Sequence, residues 1–276
     1  MIKIFLTVRN RLEITKKCIE ALQRHSTLPH SIYVYNNQTN HMLKEHFEYF
    51  YDLYSKKIIS NLSFTSDESN FNAFSKAVAC NVFGHHHNED PDKDKCEFLL
   101  FLDNDIIVVP DWDKIVKAAW EYVARNKLEN IKVISQIPGG IKSHQDKYNI
   151  TKHLEGVSGS LGGSGFWAVK NNFFQDIGFL NLKQLVGQNK RHDQLYWQLL
   201  GRKTNGSPYI LGLKTTLAYH CGAIAGSVCN TLTKNPNNKN KTDLIKFDEN
   251  EQQISKMTFD EFFKRISTDR YVKNNW

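Results

Sequence analysis

The chain has 276 residues, of which 40% are hydrophobic, so its length suits one large α/β domain or two small ones with a substantial core. Its 36 Lys and Arg residues exceed its 29 Asp and Glu residues and give a formal net charge of +7, which favours an anionic ligand such as a nucleotide. No apolar stretch approaches the roughly 20 residues that span a bilayer, and the opening MIKIFLTVRNR meets charge too early for a signal peptide, so we expect a soluble cytoplasmic protein.

The basic residues are dispersed along the chain, without an arginine-rich arm or zinc-finger spacing, which argues against a nucleic-acid partner. The positive charge also favours peripheral contact with the anionic inner face of a membrane. The five cysteines are widely spaced and include no C-x-x-C pair, so they indicate reduced thiols rather than a disulfide framework or a zinc site.

The first third of the chain alternates between the hydrophobic periods of strands and helices. Strands are predicted for three segments: IKIFLTV, SIYVYNN and KIISNLSFT. Each is followed by a predicted helix: RLEITKKCIEALQRH, residues 40 to 56, and NAFSKAVACNVFG. This order predicts a mainly parallel sheet, in which ligands gather at the carboxyl ends of the strands.

The next segment, HHHNEDPDKDK, predicts a mobile surface loop, because it is polar, acidic and contains Pro91. Three adjacent histidines cannot all face one metal ion in regular structure, which favours the loop over a metal site.

Later segments continue the alternation. DWDKIVKAAWEYVAR and HDQLYWQLLGRK predict helices, whereas IKVISQI and KTTLAYHCG predict strands. The glycine-rich segment GSLGGSGFWAVKNNFFQDI runs into an aromatic strand. The polar stretch KNPNNKNKTD, residues 234 to 243, precedes a predicted amphipathic helix at residues 258 to 267.

Two aspartates, Asp103 and Asp105, interrupt the apolar run FLLFLDNDIIVV, residues 98 to 109. Because a buried carboxylate without a partner costs several kcal/mol, the pair requires a cation, a set of donors or a break in the strand. On a continuous strand both side chains would point to one side and share a divalent ion. The alternative is a turn between two short strands, since Asp and Asn are common in turns.

The order of these segments resembles the nucleotide-sugar glycosyltransferases of the GT-A fold, in particular the family 2 type, over most of residues 2 to 228. The resemblance rests on seven motifs in order: FLTVRNRLEITKKCIEAL, IYVYNNQTN, NFNAFSKAVACN, FLLFLDNDIIVVPDW, GGSGFWAVKNNFFQDIGFLN, HDQLYWQLLGRK and YHCGAIAGS. It implies a single domain with a Rossmann-like, mixed and mainly parallel sheet flanked by helices.

The resemblance also implies the extent of that domain. The GT-A domain is expected over residues 1–230, with residues 1–110 as the nucleotide-binding half and residues 111–230 as the acceptor and catalytic half. A polar loop and a C-terminal helix are expected in residues 231–276, where residues 234 to 243 form either a lid over bound nucleotide or a flexible linker.

The chain departs from the family pattern at three positions. The aspartate expected after the second strand appears as Asn36 or is displaced to Tyr35, and the glycine expected near Asn70 is replaced. The acid expected before Asp193 is His192. The first two departures concern recognition of base and ribose, and the third concerns the neighbour of the implied catalytic residue.

The function implied by the resemblance is a metal-dependent inverting glycosyltransferase of glycan biosynthesis. It would move a sugar from a nucleoside-diphosphate sugar, with UDP-sugar favoured, to a hydroxyl of a saccharide, lipid-linked or protein acceptor. A divalent ion held by carboxylates would neutralise the charge that develops on the leaving β-phosphate.

The resemblance assigns the metal site to three residues. Asp105 is the implied direct ligand, Asp103 contacts the ribose or the ion through water, and His220 is a second protein ligand. Mg²⁺ prefers oxygen ligands, whereas an imidazole ligand favours Mn²⁺. The alternative for His220 is a hydrogen-bonded histidine at a strand end.

Asp193 is the implied base, because direct displacement at the anomeric carbon requires a group that takes the proton of the acceptor hydroxyl. Its alternative role is the N-cap of the helix QLYWQLLGRK. Further contacts to the nucleotide sugar are implied for nine residues, each with a capping, turn or bulge role as its alternative: Thr7, Arg9, Asn36, Asn37, Asn70, Asp103, Asn104, Gly162 and Gly163.

Three other functions share parts of this pattern. A phosphatase with an aspartyl nucleophile also uses D-x-D but places it after the first strand. A metal-dependent nucleotidyltransferase or nucleotide-sugar hydrolase shares the fold and the metal chemistry, and a nucleotidyltransferase would show a glycine-rich loop where TVRNRLE stands. A non-catalytic glycan- or nucleotide-binding module is the alternative of another class, and the set of Asp103, Asp105, Asp193 and His220 argues against it. The sequence leaves the sugar, the acceptor, the metal and the oligomeric state open.

Overall fold

A computed structural model gives the structure of the chain and describes residues 1–9, 11–38, 43–66, 72–136, 146–160, 165–184 and 192–220. The strands within these ranges are β1 Ile2–Val8, β2 His30–Gln38, β3 Asn61–Ser66, β4 Phe98–Asp103, β5 Ile106–Val108, β6 Val133–Gln136, β7 Lys147–Asn149, β8 Glu155–Gly159, β9 Phe166–Lys170, β10 Ile210–Leu213 and β11 Ala218–His220. The α-helices are α1 Leu12–His25, α2 Leu43–Ser55, α3 Asn72–Glu89, α4 Trp112–Arg125, α5 Phe173–Ile177 and α6 His192–Lys203.

Nine of these strands form one mixed sheet in the order β3-β2-β1-β4-β9-β6-β10-β8-β7. The longest ladders, which join β3, β2, β1 and β4, are parallel. The chain builds outward from β1 through β2 and β3 and then places β4 on the other side of β1, so the strand order reverses between β1 and β4. Ligands of open α/β sheets bind at the carboxyl ends of strands at such a reversal.

Alternation of side chains along β1 divides the core into two halves. Ile4 and Leu6 pack with buried residues of α1, α2 and α4, whereas Phe5 packs on the opposite face of the sheet with residues of α3, α5 and α6. The prediction of a mixed, mainly parallel sheet flanked by helices in a single domain is confirmed. None of the helices in the described ranges combines the length and the apolar character needed to cross a bilayer.

The apolar run at residues 98 to 109 is not one strand. β4 ends at Asp103, Asn104 and Asp105 form a turn, and β5 then pairs with β11 in a separate two-stranded sheet. The alternative of a turn between two short strands is therefore confirmed. The expectation that a continuous strand places both carboxylates on one side is wrong, because the chain leaves the main sheet between them.

The expectation of a mobile loop is wrong for the three histidines, because α3 continues through them to Glu89. Gly84 lets this part of the helix approach α5, since a Cβ there would lie 2.6 Å from the ring of Phe174. His87 is 2% exposed, and its Nε2 lies 2.6 Å from the carbonyl oxygen of Asn171. Tertiary packing therefore extends the helix beyond the point where its composition becomes polar.

A buried carboxylate joins α4 to the loop between α1 and β2. Asp113, in the first turn of α4, is fully buried, and its Oδ2 accepts hydrogen bonds of 2.6 Å from the backbone N–H groups of Thr27 and Leu28. The hydroxyl of Thr27 donates to Oδ1 at 3.1 Å. α4 follows the Asn104 turn and β5 along the chain. The Asp113 contact therefore fixes the position of the helix that comes after the turn.

We expect Asp113→Ala to lower the free energy of unfolding by about 2–4 kcal/mol, because the N–H groups of Thr27 and Leu28 lose a fully buried, charged acceptor. Urea denaturation measures the loss. Asp52→Ala is the control, since Asp52 is 53% exposed and pairs with Lys56 on the surface of α2, and it should cost less than about 1 kcal/mol. Equal losses for the two variants would show that the Asp113 contact contributes no more than a surface ion pair.

Candidate active site

The carboxyl ends of β1 and β4 bring Thr7 and Asp103 together as register partners. The hydroxyl of Thr7 donates a 3.0 Å hydrogen bond to Asp103 Oδ1. Lys76, on α3, forms an ion pair with the same oxygen. Phe5 and Phe101, two residues earlier on the two strands, belong to the α3 half of the core, so Thr7 and Asp103 face α3 as well.

Asp105, in the turn, is paired with Arg11, whose Nη1 lies 3.1 Å from Asp105 Oδ2. Arg11 stands immediately before α1 with φ 56, in the left-handed region that residues other than glycine seldom adopt. The exposed fractions of the two side chains are only 12% and 15%. The strained residue therefore presents a mostly buried guanidinium to the second aspartate of the D-x-D turn.

Arg11 and Lys76 are site residues that the sequence did not predict. Each lies in a segment whose pattern predicts an ordinary helix, and the aspartate that it contacts is distant in sequence, since Arg11 and Asp105 are 94 positions apart. Only the left-handed conformation of Arg11 marks it out, and that conformation has no signature in the sequence.

Asn104, between the two aspartates, points into the protein. It is 8% exposed, its Nδ2 donates to Thr15 Oγ1 at 2.8 Å, and its backbone N–H donates to the carbonyl oxygen of Thr7 at 3.1 Å. These contacts fix the turn to β1 and α1. The predicted contact of Asn104 with nucleotide stays a prediction, and the structure gives this side chain a role in holding the turn.

Asn36 and Asn37 lie at the carboxyl end of β2 on opposite faces of the sheet. Asn36 is fully buried on the α2 side, and its Oδ1 lies 3.1 Å from Nδ1 of His46. Tyr35 is a core residue on the α3 side, next to Phe83. The alternation of the strand therefore places Asn37 on the face that carries Thr7 and Asp103.

The side-chain amide of Asn37 is an orphaned polar group. The residue is 3% exposed, and neither Oδ1 nor Nδ2 has a hydrogen-bond partner among the described residues. An unsatisfied buried amide costs about 1–3 kcal/mol, so it is a candidate to bind a ligand. Arg9 lies directly after β1 and has buried Nε and Nη1 atoms.

Asp193 and His220 lie at the start of a helix and at the end of a strand, respectively. Asp193 is the second residue of α6, a helix that packs on α3 and α5, where the ring of Tyr196 lies 5.8 Å from that of Trp167. His220 ends β11 and is the register partner of Ile106, the residue that follows Asp105.

Several predictions fall on parts of the chain that the structure does not describe. These are the nucleotide contacts of Asn70, Gly162 and Gly163 and the polar loop and helix of residues 231–276, all of which lie outside the described residues.

The donor set fits a hard divalent cation, because two carboxylates stand at the two ends of one turn. Gly165 leaves space beside Asp103, since a Cβ there would lie 3.5 Å from Asp103 Oδ2. Within the described residues no group of three or more His, Cys, Asp or Glu side chains is close enough to hold a metal ion. The described side chains therefore offer no more than these two carboxylates to such a cation.

Comparison of the sequence with protein-family models gives no match, and comparison with curated proteins gives none. Among solved structures, S. aureus TarS matches with a TM-score of 0.46 and 14% identity over 79% of this chain and 36% of that chain. S. aureus TarS 1-349 in complex with UDP-GlcNAc matches with a TM-score of 0.46 and 14% identity over 79% of this chain and 57% of that one.

GalNAc-T7 with UDP, GalNAc and Mn²⁺ matches with a TM-score of 0.51 and 11% identity over 80% of this chain and 43% of that chain. This chain thus spans less than two thirds of each of these proteins. At such identity the likeness shows the fold alone, and the predicted resemblance to the GT-A fold is confirmed.

We expect the buried imidazole of His46 to make the protein less stable as the pH falls from about 6.5 to about 4. Burial, followed by the charge of Lys16, lowers the pKa of His46 from 6.5 to about 4. Between these values the unfolded chain binds a proton that the folded chain does not, so stability falls with falling pH by up to about 3 kcal/mol.

His46→Gln tests this, because glutamine keeps a donor for Asn36 but does not titrate. Urea denaturation at about pH 7 and about pH 4.5 should show a smaller loss of stability in the variant than in the parent. The other histidines titrate in both proteins and cancel in the difference. Identical losses would assign the pH dependence to groups other than His46.

Proposed function

We propose that this protein is a metal-dependent inverting glycosyltransferase that moves a sugar from a nucleoside-diphosphate sugar to a hydroxyl acceptor. The observation that carries the proposal is the contact of Thr7 with Asp103 at the ends of β1 and β4, where the strand order of a GT-A fold reverses, with Asp105 in the turn that follows directly. That is the place where an open α/β sheet binds its ligand, and this protein lines it with the groups that a cation and a diphosphate require.

We propose UDP-sugar as the donor. GalNAc-T7, whose structure contains UDP, GalNAc and Mn²⁺, shares the fold of this chain. The orphaned amide of Asn37 offers one acceptor and one donor in a plane, which complements the N3–H and an adjacent carbonyl of uracil. In this proposal Thr7 and Asp103 contact the ribose, and Arg9 contacts the phosphates. The remaining contacts to the nucleotide sugar come from Asn70, Gly162 and Gly163.

Asp105, Asp103 and His220 are the residues that would hold the cation. When bound, Mn²⁺ or Mg²⁺ supplies the positive charge that neutralises the β-phosphate of the departing nucleoside diphosphate. Thr7 and Lys76 both contact Oδ1 of Asp103, which leaves Oδ2, beside Gly165, to face the ligand.

Asp193 is the proposed base. Its carboxylate takes the proton of the acceptor hydroxyl while the acceptor oxygen bonds to the anomeric carbon and the bond from that carbon to the phosphate oxygen breaks. A single displacement inverts the anomeric configuration. The position of Asp193 in the first turn of α6, on the α3 side of the sheet, supports this role, and an N-cap is the competing role.

The acceptor is proposed to bind in residues 111–230, opposite a nucleotide-binding half in residues 1–110. A saccharide, a lipid-linked saccharide or a protein side chain would each offer the hydroxyl that the chemistry requires.

Thermal denaturation with a panel of nucleotide sugars, each with and without Mn²⁺, identifies the donor, because a specific ligand stabilises the folded state by mass action. Analysis of the products then separates transfer from hydrolysis, nucleotidyl transfer and binding alone.

We expect Asp105→Asn to lower the transfer rate by about 10²-fold or more, because the cation loses its principal carboxylate. The Mn²⁺-dependent stabilisation by nucleotide sugar should fall with it. Asp52→Asn is the matched control, since this carboxylate is 53% exposed and pairs with Lys56 on α2. Full turnover by purified Asp105→Asn would rule out this D-x-D as the cation site.

We expect Asp193→Asn to slow transfer by about 10²- to 10⁴-fold while donor binding survives, because the base acts on the acceptor and not on the diphosphate. Asparagine also caps helices well, so a capping role would be preserved and only the base lost. The product of the parent enzyme, examined by NMR, should have the inverted configuration. Transfer at the parent rate would make Asp193 a cap, and a retained configuration would require another mechanism.

A further inference from the structure

Two basic side chains face the two aspartates of the site. Arg11 is paired with Asp105, and Lys76 with Asp103. The exposed fractions of these four side chains are 12%, 15%, 16% and 29%, so solvent screens the pairs less than it screens ion pairs on the surface. The four charges sum to zero.

The Arg11 pair is not the only contact that holds α1 in place. α1 is anchored by buried apolar residues such as Ile19 and Leu22 and by the hydrogen bond between Thr15 and Asn104. Arg11 retains a left-handed backbone, a conformation that costs roughly 1–2 kcal/mol in a residue other than glycine. Its Nη2 is buried and has no hydrogen-bond partner in the described part of the chain. The Nη2 amino group of Arg11 is therefore available to donate a hydrogen bond to a ligand.

We propose that Arg11 and Lys76 exchange partners when the site fills: the divalent cation takes the carboxylates of Asp105 and Asp103, and the two basic side chains turn to the diphosphate of the donor. This inference rests on the proposed function, which supplies the cation and the nucleoside diphosphate as ligand classes. It adds two phosphate-binding residues and a reason for the pairs that they form in the ligand-free protein.

The charges of the ligands make the exchange cooperative. A divalent cation alone must displace Arg11 and Lys76 and leaves them without an anion. A diphosphate that binds without the cation takes Arg11 and Lys76 from Asp105 and Asp103. The negative charges of the diphosphate and of the two aspartates then repel each other. With both ligands bound, the two positive charges of the cation offset the two negative charges of a nucleotide sugar. Each ligand therefore binds more tightly when the other is present.

The exchange predicts effects of opposite sign on the two ligands. Lys76→Gln removes a competitor of the cation and a partner of the phosphates. Mn²⁺ alone should therefore bind more tightly, by about 5-fold or more, while UDP in the presence of saturating Mn²⁺ binds more weakly by a similar factor. Arg11→Gln should behave in the same way. A residue that only supports the fold would weaken both ligands together.

Isothermal titration calorimetry of the full chain with Mn²⁺ alone, UDP alone and UDP at saturating Mn²⁺ measures these affinities, and electron paramagnetic resonance of free Mn²⁺ checks the first of them. Lys16→Gln is the charge-matched control, because it removes a positive charge from α1, where Lys16 pairs with Glu13. It should leave all three affinities unchanged. Lys76→Arg keeps the charge and should retain the coupling, and thermal denaturation confirms that each variant folds.

Three outcomes would overturn the exchange. The first is weaker Mn²⁺ binding in both glutamine variants, the second is UDP binding by the parent that is equally tight with and without Mn²⁺, and the third is an equal change in Lys16→Gln. In these cases the proposed function survives, provided that the parent protein binds UDP and transfers sugar. A parent protein that binds neither UDP nor Mn²⁺ would overturn both proposals.

Discussion

The hydrogen-bonded turn at Asn104 is the constraint on which the rest of the site depends. Its backbone N–H and its side-chain amide tie the end of β4 to Thr7 and Thr15 at the point where the chain leaves the main sheet. β5 instead leaves that sheet and pairs with β11. Asp103 consequently stays on the α3 face beside Thr7, whereas Asp105 lies near the start of α1. The backbone of His220 pairs with that of Ile106, the residue after Asp105.

The protein meets the electrostatic problem of two adjacent carboxylates in three ways at once. The turn breaks the strand, the hydroxyl of Thr7 donates to Asp103, and Lys76 and Arg11 each neutralise one aspartate. Carboxylates this poorly exposed would otherwise repel each other and raise the free energy of the folded state. Each of these contacts joins a different element to β4 or to the turn, so the site also holds β1, α1 and α3 at one end of the sheet.

The two faces of the sheet have different roles at that end. On the α2 side the polar groups are used internally, as Asn36 is by His46. On the α3 side Asn37 lacks a described partner, and the carboxylate of Asp103 is partly exposed beside Gly165. A ligand that enters between the ends of β1 and β4 therefore contacts polar groups that can still form hydrogen bonds. These groups lie on the face of the sheet that α6 covers.

Local pattern alone determined much of this protein: hydrophobic periodicity predicted β1, β2, β4 and the helices α1, α2, α4 and α6, and the order of the motifs predicted the GT-A fold. The site at Asp103 and Asp105, which the same motifs predicted, stays a prediction. Only the tertiary structure decided the rest. The strands β7, β8 and β10 are three to five residues long, too short for a periodic signal, and they exist because they pair with one another and with β6. The extension of α3 through His87 depends on contacts with Lys3 and Asn171, both 84 positions away. The pairing of Arg11 with Asp105 spans 94 positions, and which of two adjacent asparagines shares a face of the sheet with Asp103 depends on the register of one strand. Such choices are made by contacts between residues far apart in the chain, and periodicity carries information only about near neighbours.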